Sequence, residues 1–188
     1  MVHADFMLAV LNLVQQSRVD GHRVSVVNSK GSIVTQSRNL AVDAALEARA
    51  EWLLFLDSDM TFPAETLSRL LAHGKAIVGA TYPRKAAPLA WIGTRVDGAA
   101  FSSADTGLVE AARLPTGCLL IEAEIFARLK RPYFRCGYDE ASGNILSEDF
   151  WFSDLVRSLG VSIWCEMDLS RQVGHLGLYR YSLSERRG

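Results

Sequence analysis

Apolar and polar positions fall along this chain in blocks whose spacing predicts most of its elements. Phe6, Ala9, Val10, Leu13 and Val14 mark one face of an amphipathic helix. Val24 to Val27, inside GHRVSVVNSK, forms a short apolar run and predicts a strand. Leu40, Ala41, Ala44, Ala45 and Ala48 return to helical spacing, with Thr35 or Ser37 as the expected cap. WLLFL, from Trp52 to Leu56, is apolar without a break, as suits a strand covered on both faces. Pro63 then introduces the helix AETLSRLLAHG, which Gly74 ends.

AIVGATY reads as another buried strand. From Pro83 to about Leu114 no period holds, which predicts loops and a short ribbon. GCLLIEA predicts a strand and EIFARLK a short helix. RPYFRCGYDEASGNILSE reads as a second loop, EDFWFSDLVRSLG as a helix ended by Gly160, and VSIWCEM as the final strand. Strands and helices in this order predict an α/β domain with a mixed, mostly parallel sheet flanked by helices. One domain over residues 1–188 fits the length, with a core to 177 and a polar tail over 178–188.

Composition narrows the function classes. Apolar residues make up 49% and charged residues 22%, ordinary values for a packed core. A formal net charge of −1 gives no basic face, so nucleic acid is not an expected partner. The three cysteines, Cys118, Cys136 and Cys165, are far apart with no CxxC spacing. That supports neither a disulfide framework nor a zinc knuckle and predicts a reducing, cytoplasmic setting, with Cys118 and Cys136 as inert small apolar residues. FMLAVLNLV is too short to cross a bilayer, so no transmembrane segment is expected.

Candidate chemistry gathers at three places. Asp57-Ser58-Asp59 follows WLLFL, at the strand end where ligands of open α/β sheets bind. Two carboxylates that close need a cation, a shared proton or water. Glu148 and Asp149 open a helix, where negative charge is favoured and a carboxylate can act as general base. His175, in QVGHLG, follows the last predicted strand. Hard cations such as magnesium and manganese favour carboxylate oxygens, and an imidazole shifts the preference toward manganese. The plain alternatives are a turn-and-cap pair for Asp57 and Asp59, first-turn acids for Glu148 and Asp149, and a hydrogen-bonded histidine. Phe150, Trp151 and Phe152 read as packing residues, while Trp91, in the irregular stretch, is a candidate acceptor platform.

LLFLDSDMTFP, IVGATYPRK, GCLLIEAEIFARL, PYF, SEDFWFSDLVRSLGVSIW and VGHLG, in that order, resemble the GT-A glycosyltransferases, in particular short bacterial and phage members of the family-2-like group. The resemblance implies a metal-dependent transferase that moves a sugar from a UDP- or GDP-sugar donor to an acceptor hydroxyl on a saccharide, lipid-linked or protein acceptor. It implies manganese or magnesium on Asp59, with Asp57 beside it and His175 completing the site. Arg38, Asn39 and Gly117 would lie near the donor, Asp149 would be the base and Glu148 would orient base or acceptor. The family's first strand has no counterpart, so that strand is expected to be missing or supplied by exchange between copies in a homo-oligomer. Two rivals remain: a non-catalytic binding or assembly module on the same scaffold, and a haloacid-dehalogenase-like phosphatase, whose DxDx[TV] pattern FLDSDMT also fits.

Overall fold

The computed structural model describes residues 3–139, 143–177 and 180–181. In chain order the elements are α1 (Ala4–Val19), α2 (Val34–Glu47), β1 (Trp52–Leu56), β2 (Met60–Thr61), α3 (Thr66–Ala72) and β3 (Ile77–Gly79). Then come β4 (Thr94–Arg95), β5 (Leu108–Arg113), β6 (Cys118–Glu122), α4 (Glu124–Ala127), β7 (Gly137–Tyr138) and β8 (Ile145–Leu146). The last are α5 (Glu148–Ser158), β9 (Ile163–Glu166), α6 (Met167–Ser170), β10 (Gly174–Leu176) and β11 (Arg180–Tyr181). Apart from β11, the expected polar tail lies outside the described residues.

The main sheet has six strands in the order β1-β6-β3-β9-β5-β4. Only β3 and β9 pair in parallel; every other neighbour is antiparallel. The expectation of a mostly parallel sheet is therefore wrong, while the α/β class holds. The physical reason is that β6 and β5 enter between or beside the strands joined by helical crossovers, and each reverses the direction. Helical spacing between strands fixes neither the neighbour nor the direction of a strand arriving from a long loop.

Alternate residues of the central strands feed two cores. Leu53, Ile77, Leu119 and Ile121 join the cluster that includes Val42 of α2 and Phe126, Phe134 and Phe152. Val78, Cys118 and Leu120 join the opposite cluster with Leu13 of α1 and Leu67 and Leu70 of α3. Period-two alternation thus sends WLLFL to both faces, as its unbroken apolarity predicts. The strand nevertheless lies at the sheet's edge. Its ladder with β6 pairs Leu53 with Ile121 and Phe55 with Leu119, in the same parity as the bond from Asp57 N to Gly117 O. The N–H and C=O groups of Trp52, Leu54 and Leu56 consequently point away from β6, toward the open edge.

Several local expectations are corrected. Val24–Val27 is not a strand; residues 22–30 carry no regular secondary structure, and Val26 and Val27 are exposed. A strand needs a partner for its backbone, and apolar content alone does not supply one. α2 turns a different face inward: Leu40 is exposed, whereas Arg38, Asn39 and Val42 are buried, and the helix is preceded by Ile33 rather than capped by Thr35 or Ser37. The stretch expected to hold loops and a short ribbon contains the antiparallel β4–β5 pair, whose six-residue β5 also joins the main sheet beside β9, and β9 is followed by two further strands. Trp91 is 8% exposed within the core, so it offers no acceptor platform. Cys118 is buried as expected, but Cys136 is exposed. Among the described residues no helix is long and apolar enough to cross a membrane.

Candidate functional site

The DSD turn is fixed from two sides. Gly117, just before β6, accepts the Asp57 N–H at 3.1 Å and donates its own N–H to the Tyr82 hydroxyl at 3.1 Å. A Cβ on Gly117 would stand 2.3 Å from that hydroxyl and 3.0 Å from Asp57 Oδ2, so the position has no room for a side chain. On the far side of the turn, β2 pairs with β10, with His175 opposite Met60, and Leu176 N donates to Asp59 O at 2.6 Å. This small ladder, not proximity in sequence, carries His175 to the second aspartate.

Asp57 and Asp59 face different surroundings. Arg38, its side chain 9% exposed, donates from Nη1 to Glu148 Oε1 at 2.5 Å and from Nη2 to both Asp57 oxygens at 3.3 Å. One buried guanidinium thus ties the DSD turn to the start of α5, a geometry suited to arginine's forked donors. Asp59 Oδ2 instead lies 2.5 Å from Lys85 Nζ and 3.6 Å from His175 Nε2. Burial alone would raise the Asp59 pKa, but His175 and Lys85 together hold it well below the usual carboxylate range.

His175 Nδ1 sits 2.9 Å from the Pro83 carbonyl oxygen. A carbonyl only accepts, so Nδ1 carries a proton and orients the ring. Nε2 then either bears a second proton, making an imidazolium beside Asp59, or presents a lone pair toward the carboxylate. Two electron-rich groups facing each other across 3.6 Å suit a shared cation. Asp59 and His175 could therefore supply two ligands to a divalent ion. Asp57 does not join them: among the described residues no three His, Cys, Asp or Glu side chains are grouped to hold an ion.

α5 brings Asp149 to the same region. Phe152 stacks on Phe134 with ring centroids 4.6 Å apart, and Ser153 Oγ receives the Leu114 N–H at 3.2 Å, which anchors the helix beside the Gly117 turn. Asp149 Oδ1 accepts from the Ser147 hydroxyl and from Phe150 N at 2.9 Å. Its Oδ2 has no hydrogen-bond partner among the described residues. Burial pushes the Tyr82 hydroxyl far above its ordinary pKa, and the charges of Asp57 and Asp149 push it further, so both carboxylates lie within electrostatic reach of the same phenol.

Asn39 has another task. Its amide donates to Thr35 O and Phe134 O and accepts from Tyr133 N and Phe134 N, leaving no hydrogen-bonding position for a ligand. It clamps the segment that carries Phe134 under α5. The residues that sequence reasoning left without a role are Tyr82 and Lys85. Both lie in YPRK, one residue on either side of a proline-arginine pair, and the signal was there: a cation and a hydroxyl directly after a buried strand end.

No protein-family model and no curated protein matches this chain. Among solved structures, the crystal structure of A197 from STIV is similar, with a TM-score of 0.62 and 20% sequence identity over 90% of this chain and 79% of that one. At that identity the likeness speaks for the fold alone.

Proposed function

We propose that this chain is a metal-dependent glycosyltransferase with a GT-A-type domain, transferring a sugar from a UDP- or GDP-sugar to an acceptor hydroxyl. The observation that carries the reading is the convergence of four separate segments on the DSD turn. Arg38 joins Asp57 to Glu148, Gly117 packs against Asp57, and His175 stands beside Asp59. A divalent manganese or magnesium ion on Asp59 and His175 would offset the negative charge that develops on the leaving diphosphate.

The chain's own groups supply the rest. Asp149 Oδ2 is unengaged among the described residues and takes the acceptor's proton, while Ser147 and the Phe150 N–H fix the carboxylate through Oδ1. Glu148 is held by Arg38 and acts by position rather than by proton transfer. Asp57, with a side chain 39% exposed beside a glycine, is left to contact a sugar or ribose hydroxyl. Asn39 supports the site without touching the donor.

One observation favours a second reading, a non-catalytic scaffold: Lys85 already neutralises Asp59. A haloacid-dehalogenase-like phosphatase is less well supported. It needs a free nucleophilic Asp57, which Arg38 holds here, although Lys85 could serve as its lysine. Calorimetric titration of UDP and GDP, each with and without manganese, together with an aryl-phosphate hydrolysis assay, decides among these. The glycosyltransferase reading expects one nucleotide to bind only with manganese, and Asp59→Ala to abolish that binding. Binding of neither nucleotide moves the assignment to the scaffold, and hydrolysis of aryl phosphates moves it to the phosphatase.

A further inference from the structure

Lys85 occupies an unusual place for a surface lysine. Tyr82 O accepts from Ile92 N at 3.0 Å, Arg84 N donates to Ala90 O at 3.0 Å, and Pro83 bridges Trp91. These bonds make residues 82–92 a hairpin with a fixed root, where Tyr82 and Trp91 are 4% and 8% exposed. Its tip, residues 84–89, is exposed throughout. The tip carries two adjacent cations. Arg84 makes no ion pair among the described residues, and Lys85 bends back to Asp59 Oδ2. The root itself touches the site, because Pro83 O holds the ring of His175.

The Lys85 ammonium and a divalent ion would compete for one carboxylate oxygen. Like charges cannot share Asp59 Oδ2 at contact distance, so a cation that loads there must displace the lysine. The displaced ammonium stays at the mouth of the site, on a flexible four-carbon stem and an exposed tip. The groups left around the turn are carboxylates that repel a diphosphate, and Arg38 is already committed to two of them. Beside Arg84 on the same tip, unpaired among the described residues, a released Lys85 gives an entering diphosphate the cation nearest the metal carboxylate.

We propose that Lys85 is a donor-binding residue held in store on Asp59: it neutralises the carboxylate when no metal is bound, and turns to the diphosphate when metal and donor load. The inference rests on the metal-dependent glycosyltransferase reading above. It adds to that reading a residue and a sequence of binding, in which the cation first releases the lysine and the nucleotide then captures it.

Lys85→Ala tests this with binding alone. Manganese is titrated first without nucleotide, then UDP and GDP at saturating manganese, into the parent protein and the variant, with thermal melting to confirm an unchanged fold. Removing the competitor tightens manganese about twofold to fivefold, the range expected from losing a half-exposed ion pair. Removing the phosphate contact weakens the nucleotide about tenfold, as for a charge-assisted hydrogen bond in a partly exposed site. The opposite signs are the signature, since a merely structural lysine would weaken both. If manganese binds the two proteins equally while nucleotide binding stays metal-dependent, the storage role is overturned and the glycosyltransferase reading stands. If manganese tightens but nucleotide affinity is unchanged, the lysine is only a competitor and its donor role is overturned. If the parent binds neither manganese nor nucleotide, the inference and the reading beneath it fall together.

Discussion

Asp57 and Asp59 are separated by one serine, yet they belong to two differently built regions. Asp57 is wired into the protein: Arg38, buried on α2, holds it and reaches across to Glu148 on α5. Asp59 is wired to the surface: its partners are a lysine on an exposed hairpin tip and a histidine on a three-residue strand. The difference teaches that a DxD sequence need not be one functional unit. The first carboxylate is part of the frame that fixes the turn against α5, and the second is left with partners that can exchange. A binding site needs both properties, because rigid placement without an exchangeable group would leave nothing for a ligand to take.

The comparison breaks most sharply at Arg38. Arg38→Ala strands Glu148, whose side chain is 12% exposed, and removes the only cation bridging α2, the DSD turn and α5 among the described residues. Breaking a buried ion pair by deleting one partner costs about 3–5 kcal/mol, and the lower end applies because Asp57 keeps access to water. Urea unfolding should show the midpoint falling by a loss of about 3 kcal/mol. Arg38→Lys should recover only part of it, since an ammonium cannot fork to both carboxylates. A loss under about 1 kcal/mol would mean that the frame does not depend on this charge.

A smaller effect is expected at Gly117, where frame and site touch. Gly117→Ala places a methyl against the Tyr82 hydroxyl at 2.3 Å and the ring carbon behind it at 2.8 Å. The buried phenol cannot swing away, so the cost should be about 1–3 kcal/mol, the range for overpacking. Adding Tyr82→Phe removes the nearer atom but leaves the ring, and should restore part of the stability. Full additivity of the two changes in a double-mutant cycle would contradict the close packing.

How much of this was legible in the sequence follows from what each signal encodes. WLLFL and GCLLI announce strands because burial on both faces demands unbroken apolar runs, and both strands form. The site residues were legible as residue types at strand and helix ends: Asp57, Asp59, Glu148 and Asp149 fall where expected. Pairing was not legible. Nothing in the local pattern shows that β6 lies antiparallel between β1 and β3, or that β2 and β10 pair to deliver His175. Those contacts are set by backbone hydrogen bonds between distant segments, and composition does not record partners. α2 shows the same limit from the other side. Its alanines suggested one buried face, but charge and amide bonds from Arg38 and Asn39 to distant groups turned another inward.

The smallest expected effect lies at Asp59 and sharpens the contrast through pH. Its folded-state pKa is depressed, although burial opposes this, because His175 and Lys85 favour the carboxylate. A depressed pKa contributes stability that is fully present above the unfolded value, about 3.9 for aspartate, and is lost as pH falls through the lower folded value. Acid unfolding below about pH 4 should therefore contain an Asp59 component that disappears in Asp59→Asn. The side chain is 34% exposed and Lys85 32%, so solvent screens the pair and the increment should stay below about 1 kcal/mol. Salt separates the two aspartates further. Raising ionic strength toward 1 M shortens the screening length to about 3 Å, which should erase the Asp59 increment while leaving most of the Arg38 effect. If salt removed both alike, the guanidinium would be as open to solvent as the ammonium, and the division of this turn into a fixed half and an exchangeable half would fail.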